Sequence, residues 1–119
     1  MIVSVVTGYL PEYDKNKVKN RIENAILYAI NEGGKIFLYQ SESELAPVIS
    51  SVIKAISKTN PDITYMAVEN KQNESKEEYV RKSSSKTYLL EKADILLVLE
   101  SKESVVNYAV PKTTLRIKI

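Results

Sequence analysis

The chain has 119 residues, of which 44% are hydrophobic, and it contains neither Cys nor His. This length predicts one domain spanning residues 1–119, with enough apolar residues for an ordinary core. The two missing residue types exclude disulfides, zinc sites built from Cys and His, cysteine nucleophiles and histidine bases. We predict no metal and no resident cofactor. The net charge of +2 does not favour a nucleic-acid partner.

Two features bear on the cellular location. The first ten residues, MIVSVVTGYL, lack the basic region and cleavage site of a signal peptide, and they predict a strand. No apolar run approaches the roughly 20 residues that cross a bilayer. We therefore expect a cytoplasmic protein without a membrane partner. Its richness in Lys, Asn and Ile is typical of an AT-rich bacterial or phage genome.

The first half of the chain alternates strands and helices. Residues 2–6 are β-branched and end at Thr7 and Gly8, which predicts a strand and its turn. Apolar residues three and four positions apart then predict a helix. Asp14 is its candidate N-cap, and Gly33–Gly34 is its candidate C-terminal end. Residues 35–39 predict a second strand. A second apolar helical stripe covers 45–56, with Ser43 as its candidate cap and Pro47 in its first turn.

The second half continues this alternation. Residues 62–68 predict a third strand, and 75–92 a helix with few apolar anchors. Residues 93–100 are the most hydrophobic segment of the chain, with an uninterrupted apolar run over 95–99, which is typical of a strand buried on both faces. Residues 101–110 predict a short helix. Apolar and basic residues alternate over 113–119, which predicts an edge strand with one wet face.

This order of elements predicts an α/β fold. Strands alternating with helices form a mainly parallel, doubly wound sheet of about five strands, as in Rossmann-like domains. The expected strand order is 3-2-1-4-5, with 2-1-3-4-5 as the alternative. Ligands of such sheets bind at the carboxyl ends of the strands, so the residues that follow strands one, two and four are the candidate site.

Thr7, Gly8 and Tyr9 follow strand one. Gly8 allows close approach of a ligand to the backbone, Thr7 offers a hydroxyl, and Tyr9 offers a flat ring for a base or ribose. The alternative is that Gly8 serves only a tight turn. The tyrosines at 28, 39 and 65 fall in predicted core elements, and the mixed charges of residues 69–86 indicate a solvated helix face.

Gln40 to Glu44 stand where nucleotide-binding proteins place a glycine-rich phosphate loop. Here Glu42 and Glu44 would repel phosphate, whereas they interact favourably with a helix N-terminus. Stabilisation of the helix is therefore the simpler interpretation. Glu100 and Ser101 follow strand four. Glu100 could act with Glu44 as an acid/base or nucleophile pair on a glycosidic bond, or it could lie in a solvated loop.

Several segments resemble the YpsA-like branch of the SLOG superfamily, which comprises Rossmann-like domains related to lysine-decarboxylase-like phosphoribohydrolases. The segment VVTGYLP resembles the family's turn after strand one, Thr-Gly followed by Tyr, His or Arg, and YLLEKADILLVLE resembles its helix end and fourth strand. YQSESEL resembles the family loop Gly-Gln-x-Gly-x-Glu-x. It keeps Gln40 and Glu44, while Tyr39 and Glu42 replace the glycines. The chain is also shorter than the family pattern after strand three.

The resemblance implies a nucleotide-derived or nucleoside ligand. The replaced glycines imply that no phosphate cradle remains, that Tyr39 and Glu42 fill it, and that the protein is not an active phosphoribohydrolase. The implied ligand-binding residues are Thr7, Gly8, Tyr9, Gln40, Glu44, Glu100 and Ser101, with Glu44 bonding a ribose hydroxyl. Two alternatives stay open. One is a hydrolase cleaving an N-glycosidic bond with Glu44 or Glu100, and the other is an interaction module that forms a homodimer through the 113–119 edge or an apolar helix face.

Overall fold

Five parallel strands form one sheet in the computed structural model, which describes residues 1–8, 13–69, 85–100 and 113–118. The strand order is β3-β2-β1-β4-β5, with every neighbouring pair parallel. The predicted Rossmann-like order 3-2-1-4-5 is therefore confirmed, and the alternative order is wrong. The elements in chain order are β1 Ile2–Thr7, α1 Lys15–Asn31, β2 Ile36–Gln40, α2 Ala46–Ser57, β3 Thr64–Val68, α3 Ser85–Lys92, β4 Ile95–Glu100 and β5 Thr113–Lys118.

The sheet has a hydrophobic core on each face because successive side chains of a strand point to opposite sides. Odd-numbered residues of β1, β2 and β4, such as Val5, Phe37 and Leu97, pack with α1 and α2. Even-numbered residues such as Val6 and Leu96 pack with α3. All six residues of β4 are buried, as its continuous apolar run predicts. We call these two sides the α1/α2 face and the α3 face.

The ends of α1 follow from single residues. Asp14 is its N-cap, and the carboxylate accepts from the backbone N–H groups of Asn16 and Lys17 at 2.9 and 3.3 Å. Gly33 has a φ of 105°, a left-handed conformation that ends the helix at little steric cost. Gly34 has no space for a side chain, since a Cβ there would lie 2.5 Å from Val3 Cγ2. Both predicted helix ends are confirmed.

Other boundaries differ from the sequence prediction. The helix α2 begins at Ala46, and its N-cap, Leu45, has no side-chain capping bond, so Ser43 is not the cap. Tyr28 is 41% exposed and is not a core residue, whereas Tyr39 is buried in the core of the α1/α2 face. The predicted helix over 101–110 and residues 75–84 of the preceding one lie outside the described residues. None of the helices that the structure describes combines the length and apolarity required to cross a bilayer.

Candidate functional site

The end of β1 lies at the middle of the sheet, between β2 and β4. There the backbone N–H of Gly8 donates to the carbonyl oxygen of Leu99 at 2.7 Å, which extends the pairing of β1 with β4 by one residue. The backbone N–H of Thr7 donates to the side-chain Oε1 of Gln40 at 3.4 Å. A phosphate bound at this turn would require free backbone N–H groups. Both of these groups already have protein acceptors.

Gln40 ends β2 and replaces a missing strand partner. The pairing of β2 with β1 ends at Tyr39 and Val5, and the carbonyl oxygen of Gln40 accepts from the N–H of Ser43 in the turn that follows. The N–H of Thr7 then has no β2 carbonyl to pair with, and the Gln40 amide oxygen accepts its hydrogen instead. The predicted residue Gln40 therefore contacts the predicted residue Thr7. Its observed role is to satisfy a partly buried backbone donor.

Ser43 attaches the loop after β2 to the end of β1. Its Oγ lies 2.9 Å from Oγ1 of Thr7 and also accepts from the N–H of Leu45 at 3.2 Å. Its carbonyl accepts from the N–H of Ala46, the first residue of α2. Sequence reasoning considered Ser43 only as a helix cap. The sequence predicts that β1 and β2 are neighbours, and a hydroxyl residue lies near the carboxyl end of each. These two facts together could have indicated the contact of Ser43 with Thr7.

Glu44 stands on the rim of this cluster. Its side chain is exposed, and its Oε2 accepts from the hydroxyl of Tyr13 at 3.4 Å. The Tyr13 ring packs against the core of the α1/α2 face just before α1 begins. Desolvation, followed by the charge and hydrogen bond of Glu44, raises the pKa of Tyr13 above its usual value of 10.0. The Tyr13 phenol is therefore held as a neutral donor beside a carboxylate.

Tyr13 was not among the predicted site residues. It directly precedes the Asp14 N-cap of α1 and contacts Glu44, which follows β2. An aromatic residue that directly precedes a helix cap was the available signal. Tyr9 and Ser101, which the sequence did predict, lie outside the described residues.

Glu100 occupies an environment that the sequence did not suggest. It is the last residue of β4, and its side chain is fully buried. Both of its oxygens accept from Arg116 Nη1, at 2.8 and 2.9 Å, and Oε2 lies 2.8 Å from Lys118 Nζ. The interpretation of Glu100 as part of a solvated loop is wrong, because two cations of β5 hold it against the sheet. Its contact with a ligand stays a prediction.

Glu44 and Glu100 have different partners in the structure. Glu100 shares its side of β4 with Leu96 and Val98, and that side is the α3 face. Glu44 is held by Tyr13, which packs on the α1/α2 face. The end of β1 separates β2 from β4. Two carboxylates that cleave a glycosidic bond flank one sugar from about 5 to 9.5 Å apart. That Glu44 and Glu100 act as an acid/base pair on a glycosidic bond stays a prediction.

The cluster at the ends of β1 and β2 has a definite chemical character. Its inner groups, Thr7, Gln40 and Ser43, bond to one another, and its outer groups, Tyr13 and Glu44, reach solvent. The side chain of Tyr39 is buried in the core of the α1/α2 face, and the implication that it fills a former phosphate cradle stays a prediction. In the described part of the chain, no three Asp or Glu residues gather as metal ligands would.

No protein-family model matches this chain, and no curated protein or solved structure is significantly similar to it.

Proposed function

We propose that the protein binds a nucleoside-like ligand through its sugar hydroxyls at the carboxyl ends of β1 and β2, and that it does not cleave the ligand. The observation that carries this proposal is the exposed carboxylate of Glu44 beside a strand end at which the backbone donors of Thr7 and Gly8 are already bonded. A carboxylate accepts hydrogen bonds from the two hydroxyls of a ribose. It also disfavours a phosphate at the same place.

The position of Glu44 supports a sugar ligand. In dinucleotide-binding Rossmann domains, an acidic residue after the second strand bonds the ribose hydroxyls. Glu44 follows the end of β2 by four residues, and the sheet order is that of those domains. The neutral hydroxyl of Tyr13 adds a donor and its ring adds an apolar surface beside the carboxylate. The resemblance to the YpsA-like branch, which stays a prediction, points to the same ligand class.

A titration of ¹⁵N-labelled protein with a panel of ribonucleosides tests this proposal by chemical-shift changes. We expect binding of at least one ribonucleoside, and a roughly tenfold weaker affinity for its 2′,3′-dideoxy analogue, because charge-assisted hydrogen bonds to the sugar are lost. Glu44→Gln should lose a comparable factor. Glu42→Gln removes the same charge two residues away and should keep the wild-type affinity.

Two results would contradict the proposal. The first is the absence of any shift changes at millimolar ribonucleoside. The second is equal binding of the ribose and dideoxy compounds. Chromatography of the same mixtures checks the claim that the ligand is not cleaved. Free base that accumulates with wild type, and fails to accumulate with Glu44→Gln, would favour the N-glycosidic hydrolase instead.

A further inference from the structure

A strip of α1 beside the sheet edge is open to solvent. A groove of about 270 Å³ separates α1 from β5 and is lined by Arg21, Asn24, Ala25, Tyr28, Leu115 and Ile117. Tyr28 is 41% and its neighbour Leu27 is 44% exposed. Among the described strands, β5 pairs only with β4. The groove thus joins an apolar helix surface to an edge strand, and it shares no residue with the proposed ligand site.

Arg21 of α1, rather than a cation of β5, covers part of this edge, because its Nη1 donates to the carbonyl oxygen of Lys118 at 2.7 Å. Lys and Arg on an edge strand commonly project outward and repel the approach of a second strand. Here Arg116 and Lys118 lie across β4 instead, where both bind the buried Glu100 on the α3 face. Their charges are partly neutralised there. On the other face, Leu115 and Ile117 line the groove.

The charges of α1 have an unusual order along this strip. Lys17 and Arg21 lie in its first half, and Glu32 is its C-cap residue, with Tyr28 one turn earlier. The first turn has no acidic residue and the last turn no basic residue. Cations near a helix N-terminus and an anion near its C-terminus oppose the helix dipole. An antiparallel neighbouring helix with the same sequence would reverse this disadvantage.

We propose that the occupant of the groove is a second copy of this chain, related by a two-fold axis that passes beside Asn24 and Ala25. In this arrangement Lys17 of each copy faces Glu32 of the other, and Arg21 of each copy faces the ring of Tyr28 of the other. The first contact joins opposite charges, and the second is a cation–π interaction. Arg21 of each copy also donates to the carbonyl oxygen of its own Lys118 at 2.7 Å, so the proposed contact is between the two α1 helices and does not require the β5 edges to pair. Such a self-complementary patch is what a two-fold dimer requires.

Sedimentation velocity over a wide range of protein concentrations tests the dimer, and an exchange of charges tests its geometry. Wild type should form a species of twice the chain mass. Lys17→Glu and Glu32→Lys should each raise the dimer dissociation constant roughly tenfold, because each change places like charges together twice in a symmetric dimer. The double variant Lys17→Glu/Glu32→Lys recreates both pairs in reverse and should recover an affinity close to that of wild type.

A matched control uses the other side of the same helix. Lys19→Glu and Glu23→Lys make the same charge changes at exposed positions away from the groove, and they should leave the dissociation constant unchanged. Far-UV circular dichroism verifies that every variant is folded. A wild type that stays monomeric at all concentrations would overturn the proposal. A dimer whose affinity the double variant fails to restore would equally overturn it.

Discussion

Replacing Glu100 by glutamine removes the charge of a fully buried carboxylate while keeping its size. Three contacts shorter than 3 Å depend on this charge, two to Arg116 and one to Lys118. A hydrogen bond to a charged group contributes about 1.5–3 kcal/mol to stability. The amide oxygen of glutamine can still accept from one cation. Its NH₂ group, in contrast, would point donor hydrogens at the other.

The cations limit the expected loss. The side chains of Arg116 and Lys118 are 30% and 40% exposed, so they recover part of their solvation when the carboxylate is gone. The removal of one partner from a fully buried ion pair costs about 3–5 kcal/mol. With partial exposure of the cations, we expect Glu100→Gln to lower the free energy of unfolding by about 2–4 kcal/mol.

Urea unfolding at neutral pH, followed by circular dichroism, measures this change. The transition midpoint should fall while the denaturant slope stays constant, since the surface exposed on unfolding is nearly the same. Glu91→Gln, a change of the same kind at an exposed position of α3, should have no comparable effect. A loss below about 1 kcal/mol for Glu100→Gln, the range of surface ion pairs, would refute the reasoning.

Three further predictions concern single residues. Gly34→Ala should lower the free energy of unfolding by about 1–3 kcal/mol, because the new Cβ would lie 2.5 Å from Val3 Cγ2; chemical denaturation measures it. Asp14→Ala should lower it by about 0.5–2 kcal/mol through loss of the N-cap of α1, with the same assay. Tyrosinate absorbance, compared with Tyr13→Phe, should place the Tyr13 pKa above 10.0, and Glu44→Gln should lower that pKa without returning it fully, because desolvation is the first cause. Since a raised pKa favours the protonated folded state, this stabilisation is present at lower pH and is lost as pH rises through the folded-state pKa.

Local rules in the sequence account for most of the fold. A capping aspartate and a pair of glycines bracket α1, and the uninterrupted apolar run of β4 predicts that it is an inner strand of the sheet. These signals are short-range and depend on backbone chemistry or on burial of a whole segment. Tyr28 shows the limit of the approach. It falls in a predicted core element, yet it lines the groove between α1 and β5 and is 41% exposed.

The contacts of the candidate site depend on pairs of loops and strands that are distant in the chain. Ser43 has the properties of a cap, yet its hydroxyl contacts Thr7, which lies 36 residues earlier. Glu100 follows an apolar run that conceals which face it occupies. Only the register that sets it beside Lys118 reveals its cationic partners. The sequence therefore predicts which end of the sheet carries the site, but not which polar groups there are already bonded.

The central claim is that Thr7 and Gly8 have no backbone donors left for phosphate, while Glu44 is available to a sugar. The most direct test is a pair of ¹⁵N titrations with one ribonucleoside and its 5′-monophosphate. We predict affinities within about threefold of each other, with shift changes around Tyr13 and Glu44, because no charge-assisted bond to phosphate forms. A monophosphate that binds tenfold or more tightly, and that shifts the amide resonances of Thr7 and Gly8, would contradict the account.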